Sequence, residues 1–177
     1  MIAGVLTSMR LFSEEQSLGT LELLITAPIT EAQMVIGKFI SALLFLLILM
    51  VATLPIPTMV LIFGDAHWGH ICAGYMGVLL IGGASIAVTE FYSTLTGTQI
   101  LAATMGGGNV VAFLLLGFFS PYIDQPMKSI MREFSFYVHY MDFEKGVIVA
   151  RHLIFFISII VFYLYLAVVS LQSRKWK

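Results

Sequence analysis

Carboxylates set the chemical possibilities of this chain. Glu14, Glu15 and Glu22 stand close together near its start. On a helix of about 3.6 residues per turn they share one side, while Leu11, Leu18, Leu21 and Ile25 share the other. Such a segment suits a membrane surface, with its apolar face down and its carboxylates open to water or to a partner protein. It is a poor crossing helix, because each glutamate would be costly inside a bilayer. Glu90 stands alone between two long uncharged runs. A carboxylate inside a membrane is a functional candidate by default. Its place near the end of an apolar run nevertheless leads us to expect that it reaches interfacial water.

The imidazoles offer less. His67 and His70 are three apart, a spacing that can hold a metal on a helix. No cysteine or third histidine lies near, so they read as exposed residues of a turn. His139, Asp142 and Glu144 have the side-chain types of an acid–base or metal site, yet nothing in their spacing fixes a geometry. Solvated residues of an amphipathic helix are the expectation there. Cys72 is the single cysteine, which excludes an intramolecular disulfide and a cysteine metal cage. The one Gly-Lys pair, Gly37-Lys38, has Ala32 where a phosphate-binding loop needs its first glycine and Phe39 where it needs Ser or Thr. No catalytic residue, metal or cofactor is therefore assigned, and nucleotide binding by a P-loop is not expected.

The elements that position these groups follow from composition. Of 177 residues 59% are hydrophobic and 11% charged, with mean hydropathy +0.98, against about 25% charged in soluble domains. The net charge of −1 carries no basic signature and argues against a nucleic-acid partner. The expected fold is all-α, a polytopic membrane helix bundle with an amphipathic cytoplasmic coupling helix. Residues 1–9 are too short to span and read as the stump of a helix. Residues 10–28 form the coupling segment, with Gly19 allowing a turn and Pro28 ending the helix. Thr30, Glu31, Ala32 and Gln33 form a capping-box pattern that starts a new helix at about Glu31.

Four spans are expected, over residues 31–63, 71–93, 99–119 and 152–172. The first holds 25 consecutive uncharged residues, 39–63, enough to cross a hydrocarbon core of about 30 Å. Pro55 and Pro57 should kink or unwind it. Lys38 can snorkel at its mouth. Small residues crowd the second span (Gly74, Gly77, Gly82, Gly83) and the third (Gly106-Gly107-Gly108), as close helix packing in lipid requires. Residues 120–151 balance four acidic and four basic residues. Their aromatics (Phe134, Phe136, Tyr137, Tyr140, Phe143) suggest helices lying in the interface on the extracytoplasmic side. Four crossings put residues 10–28 and the basic tail Arg174-Lys175-Trp176-Lys177 on one side, which the tail marks as cytoplasmic.

At Phe12-Ser13-Glu14-Glu15, Gly19-Thr20-Leu21-Glu22-Leu23-Leu24, Thr26-Ala27-Pro28-Ile29 and Gly37-Lys38 the chain resembles permease subunits of ABC-2 type transporters. Within them it is most similar to the gliding-motility-associated and copper-enzyme-maturation branch. Further likeness lies in Leu95-Thr96 and Gln99-Ile100, in Asp142-Phe143 with Gly146-Val147-Ile148, and in Ser170-Leu171-Gln172-Ser173-Arg174. The resemblance implies a bacterial inner-membrane subunit with a separate ABC ATPase and a second permease copy or a related permease. It also implies that Glu14, Glu15, Gly19, Thr20 and Glu22 sit in the segment that touches the ATPase. Pro55, Pro57, Glu90 and Gln99 are the candidates for pathway or gating. The family usually has six spanning helices, and the pattern of the first and most of the second is absent here. Glu90 and Gly97 depart from the residue types usual at those positions. Two other classes of function compete: a non-transporting membrane anchor that recruits a cytoplasmic complex through the same acidic helix, and an intramembrane enzyme using Glu90, His139 or Asp142.

Overall fold

The computed structural model describes residues 2–13, 30–64 and 67–174. Within them the chain is helical and has no strand. A short helix α1 (Ile2–Ser8) precedes α2 (Glu31–Thr53) and α3 (Pro55–Phe63), which together make one membrane-length rod. Next come α4 (Trp68–Leu95) and α5 (Gln99–Phe119). After a 3-10 turn (Ser120–Tyr122) lie α6 (Met127–Phe134), α7 (Phe136–Glu144) and α8 (Ala150–Arg174). Four of these rods are long and apolar enough to cross a membrane: Glu31–Phe63, Trp68–Leu95, Gln99–Tyr122 and Ala150–Ser173. The chain is a multi-pass membrane protein whose consecutive spans alternate in direction.

Local chemistry explains where the rods begin and bend. The Thr30 hydroxyl accepts from the Gln33 amide at 3.3 Å while the Gln33 side chain accepts from the Thr30 amide at 3.1 Å, so the capping box closes on both sides. At the far end of α2 the proline nitrogen of Pro55 has no hydrogen to give. The carbonyl of Val51 is taken instead by the amide of Leu54 at 3.1 Å, a tightened turn from which α3 restarts. The Thr53 hydroxyl meets the Tyr75 hydroxyl at 3.0 Å, tying this bend to α4.

α4 is the axis of the bundle, touching α1, α2, α5, α7 and α8. Its small residues let backbones close in, the substitute in lipid for a hydrophobic drive between helices. A Cβ on Gly82 would stand 2.6 Å from Leu46 of α2, and one on Gly77 would stand 2.7 Å from Phe143 of α7. Of the glycine triplet in α5, Gly106 alone is pressed against α4: a Cβ there would lie 2.8 Å from the Thr89 Cα, while Gly108 faces open space. Ile36, Ile40, Leu44 and Ile48 of α2 are exposed at successive i+4 positions, a lipid-facing ridge.

α6 and α7 part company. Met127, Ile130 and Phe134 of α6 are exposed, in keeping with an interfacial helix. α7 departs from the interfacial placement expected of its aromatics. Phe136 and Phe143 are fully buried, packed with Ile81, Ala84 and Phe156, and Phe136 stacks on Phe113 at 4.9 Å. The glycines of the neighbouring helices open the room, which no property of residues 120–151 alone reveals. α7 ends in a Schellman motif, with Gly146 at φ +79° and its amide on the Phe143 carbonyl at 3.0 Å, and the Val147 amide on the Asp142 carbonyl at 2.9 Å.

Candidate functional site

At one end of the bundle the chain leading into the acidic segment is built into three spanning helices. Phe12 is 1% exposed, seated among Met34 and Val35 of α2 and Ala167 and Leu171 of α8, with Phe91 of α4 alongside. The amides of Phe12 and Ser13 both donate to the Ser93 hydroxyl, at 3.1 and 3.0 Å. That hydroxyl donates in turn to the Met9 carbonyl at 3.2 Å. The Lys38 ammonium donates to the Leu11 carbonyl and lies 3.9 Å from the centre of the Phe12 ring, within cation–π range. Lys38 is thus more than a snorkelling residue: it clamps the turn that carries Phe12.

Glu90 belongs to this same end, one helical turn before Ser93. It does not reach interfacial water. Its exposure is 0%, and neither carboxylate oxygen has a hydrogen-bond partner among the described residues. Among the described residues, Lys38 acts on it across the α2–α4 contact. It lies beside Thr89, against whose backbone Gly106 of α5 is pressed, and this close approach of α5 to α4 covers that part of the helix. Gln99 opens α5 nearby, half-buried. Pro55 and Pro57 lie elsewhere, about 25 Å along α2 from Lys38 by helical rise. Glu14, Glu15, Gly19, Thr20 and Glu22 lie outside the described residues.

Sequence reasoning missed two features. Asn109 of α5 donates to the Tyr92 hydroxyl of α4 at 2.8 Å and to the Tyr163 hydroxyl of α8 at 3.2 Å, joining three spans through one amide. Its signal was available: a lone amide in the middle of an uncharged run must find partners. The second is a polar cluster at the opposite end of the bundle. His152 Nε2 meets Asp142 Oδ2 at 2.7 Å, joining the start of α8 to α7, and His152 Nδ1 is buried without a partner among the described residues.

His139 is 3% exposed, not solvated. Its Nδ1 meets the Ser135 carbonyl at 3.0 Å and its ring stacks on Phe155 at 3.9 Å. Burial above all holds its imidazole below the ordinary value; the Ser135 carbonyl opposes this, and His152 and Arg151 reinforce it. Arg151 pairs with Glu133, whose carboxyl is held below its usual range chiefly by that hydrogen bond. Glu144 is exposed and faces a different crevice, beside Tyr140, so it does not join His139 and Asp142. Among the described residues no group of three His, Cys, Asp or Glu could hold a metal ion. His67 supplies the N-cap position of α4, and the His70 ring is packed against Gly146.

A family model for ABC-2 family transporter proteins matches residues 1–119, from α1 to the end of α5. No curated protein and no solved structure matches the chain. The matched part contains both the Phe12 seat's α2 and α4 walls and the acidic segment that precedes α2 in sequence. With that match over most of its length and four membrane-length helices, the chain belongs to the ABC-2 transporter family, as a membrane component of the permease type.

Proposed function

We propose that this chain is the permease subunit of an ABC-2 exporter, driven by a separate ATPase that docks on residues 10–28. Glu14, Glu15 and Glu22 are its carboxylate contacts, and Gly19 and Thr20 belong to the same coupling segment. The observation that carries this reading is the seat of Phe12. A pull on the segment is delivered at once to α2, α4 and α8, through a buried ring and two hydrogen bonds to Ser93. An ATPase can shift the bundle only if its contact differs in free energy between the bundle's states. A rigid, buried attachment provides that difference, where a loose tether would dissipate it.

In this reading Glu90, beside the attachment, and Gln99 respond to the stroke at the pathway's inner end, while Pro55 and Pro57 supply a bend further along. A second copy of this chain, or a related permease, completes the pathway. The segment and the C-terminus face the cytoplasm of a bacterial inner membrane. Hydrolysis is the partner's task. The shared motifs support a place in the gliding-motility-associated and copper-enzyme-maturation branch.

The test is co-purification with the cognate ABC ATPase and measurement of its ATP hydrolysis in nanodiscs. Reversing Glu14, Glu15 and Glu22 to lysine should weaken ATPase association by at least about tenfold, since three exposed pairs at ~0.2–1 kcal/mol each become repulsive. Phe12→Ala should leave association in place and uncouple hydrolysis from transport. Retained association in the triple variant refutes the docking assignment. Association without any effect on hydrolysis indicates a non-transporting anchor.

A further inference from the structure

We propose that the cavity between α6, α7 and the start of α8 is a binding site for a phosphate group, with a membrane-lipid headgroup as its favoured bearer. The cavity has a volume of ≈ 540 Å³ and is lined by Lys128 and Arg132 of α6, His139 and Asp142 of α7, and Arg151 and His152 of α8. That is about eighteen times the ~30 Å³ share of one liquid water. It is room for a headgroup and not merely for a trapped solvent molecule.

Its charge is unbalanced in a way that favours an anion. Two carboxylates face it, and both are engaged: Glu133 with Arg151, and Asp142 with His152 at 2.7 Å. Lys128 and Arg132 make no ion pair among the described residues, and with the histidines counted neutral the lining sets three cations (Lys128, Arg132 and Arg151) against two carboxylates, a surplus of one positive charge. An arginine fork beside a lysine point charge matches the oxygens of a phosphate.

The setting selects the bearer. Met127, Ile130 and Phe134 are exposed, and their i, i+3, i+7 spacing makes one apolar stripe of α6. Lys128 and Arg132, four apart, lie on the other side of the same helix. A helix with that division rests at the boundary between acyl chains and headgroups, where its cations stand at phosphate level. A lipid can therefore place its tails along the stripe and its phosphate in the cavity. This proposal is independent of the ATPase-coupling reading.

The experiment uses the full 177-residue chain in dodecyl maltoside, with binding followed by native mass spectrometry. The probes are dioctanoylphosphatidylglycerol, dioctanoylglycerol with the same chains and no phosphate, and inorganic phosphate. We expect saturable binding of the phospholipid, none of dioctanoylglycerol, and at least about tenfold weaker binding in the Lys128→Gln/Arg132→Gln double variant. Both residues lie outside the ion pairs that hold the cavity together, so the variant keeps its fold; an unchanged thermal midpoint confirms it. Competition by millimolar phosphate identifies the free anion as a second source of the same group. Failure to compete, with the lipid still bound, assigns the site to the headgroup. Equal binding of dioctanoylglycerol, undiminished binding by the double variant, or no saturable binding of either phosphate probe overturns the proposal.

Discussion

The glycine triplet of α5 permits a controlled measurement of how closely the bundle is packed. A Cβ at Gly106 would lie 2.8 Å from the Thr89 Cα, whereas ordinary contact begins at 3.4 Å. Gly106→Ala must therefore push α5 from α4 by the difference, 3.4 − 2.8 = 0.6 Å. The obstacle is backbone, so no rotamer change relieves it. Overpacking of this kind costs about 1–3 kcal/mol. Gly108→Ala, two residues along the same helix, meets nothing within 4 Å. Each substitution gains the same helix propensity, about 1 kcal/mol in water and less in lipid, so the difference between the two variants isolates the clash. Equilibrium unfolding in mixed maltoside and dodecyl sulfate micelles, followed by tyrosine and tryptophan fluorescence, should place Gly106→Ala about 1–3 kcal/mol below Gly108→Ala. Equal stabilities, or the reverse order, would refute the close α4–α5 approach. The burial of Thr89 and its neighbour Glu90 would then need another cause.

Two further perturbations probe the polar links. Asn109→Leu removes hydrogen bonds to Tyr92 and Tyr163. At about 0.6 kcal/mol for an average interhelical bond in lipid, unfolding should show a loss of roughly 1 kcal/mol, and no loss would mean that these hydroxyls are satisfied otherwise. His139 has a folded-state pKa below its ordinary 6.5 because of burial, so as pH falls the unfolded chain binds the proton first. Its contribution is complete above that ordinary value and is lost as pH drops through 6.5 towards the depressed folded value. Thermal midpoints at about pH 7.5 and about pH 5.5 should therefore diverge more in the wild type than in His139→Phe, which keeps the ring stack on Phe155. Identical divergence would exclude His139 as the source.

Much of this architecture was legible because lipid leaves few options. Uncharged runs longer than a bilayer is thick, the Thr30–Gln33 box and the Pro55 break all act through their immediate neighbours, and the helices follow. What stayed hidden depends on which side of a rod faces which neighbour. α4 is apolar on nearly every side, so periodicity does not say that Glu90 turns inward or that Gly77 admits Phe143. His139 resembles a solvated residue until Phe155, sixteen positions later, is laid against it. The Asp142–His152 pair likewise joins two helices whose packing is decided by the glycines of α4 and α5. The acidic segment can be read in sequence as chemistry only; its geometry lies outside the described residues.

The seat of Phe12 also has a consequence for biogenesis. Its walls include Ala167 and Leu171, residues of α8 that are synthesised long after Phe12. Synthesis from Phe12 to Leu171 takes roughly 8–32 s at 5–20 residues per second. Throughout that interval the ring lacks a wall of its socket, so the turn around Phe12 cannot be fixed in place on a half-made bundle. Only the synthesis of α8 closes the socket.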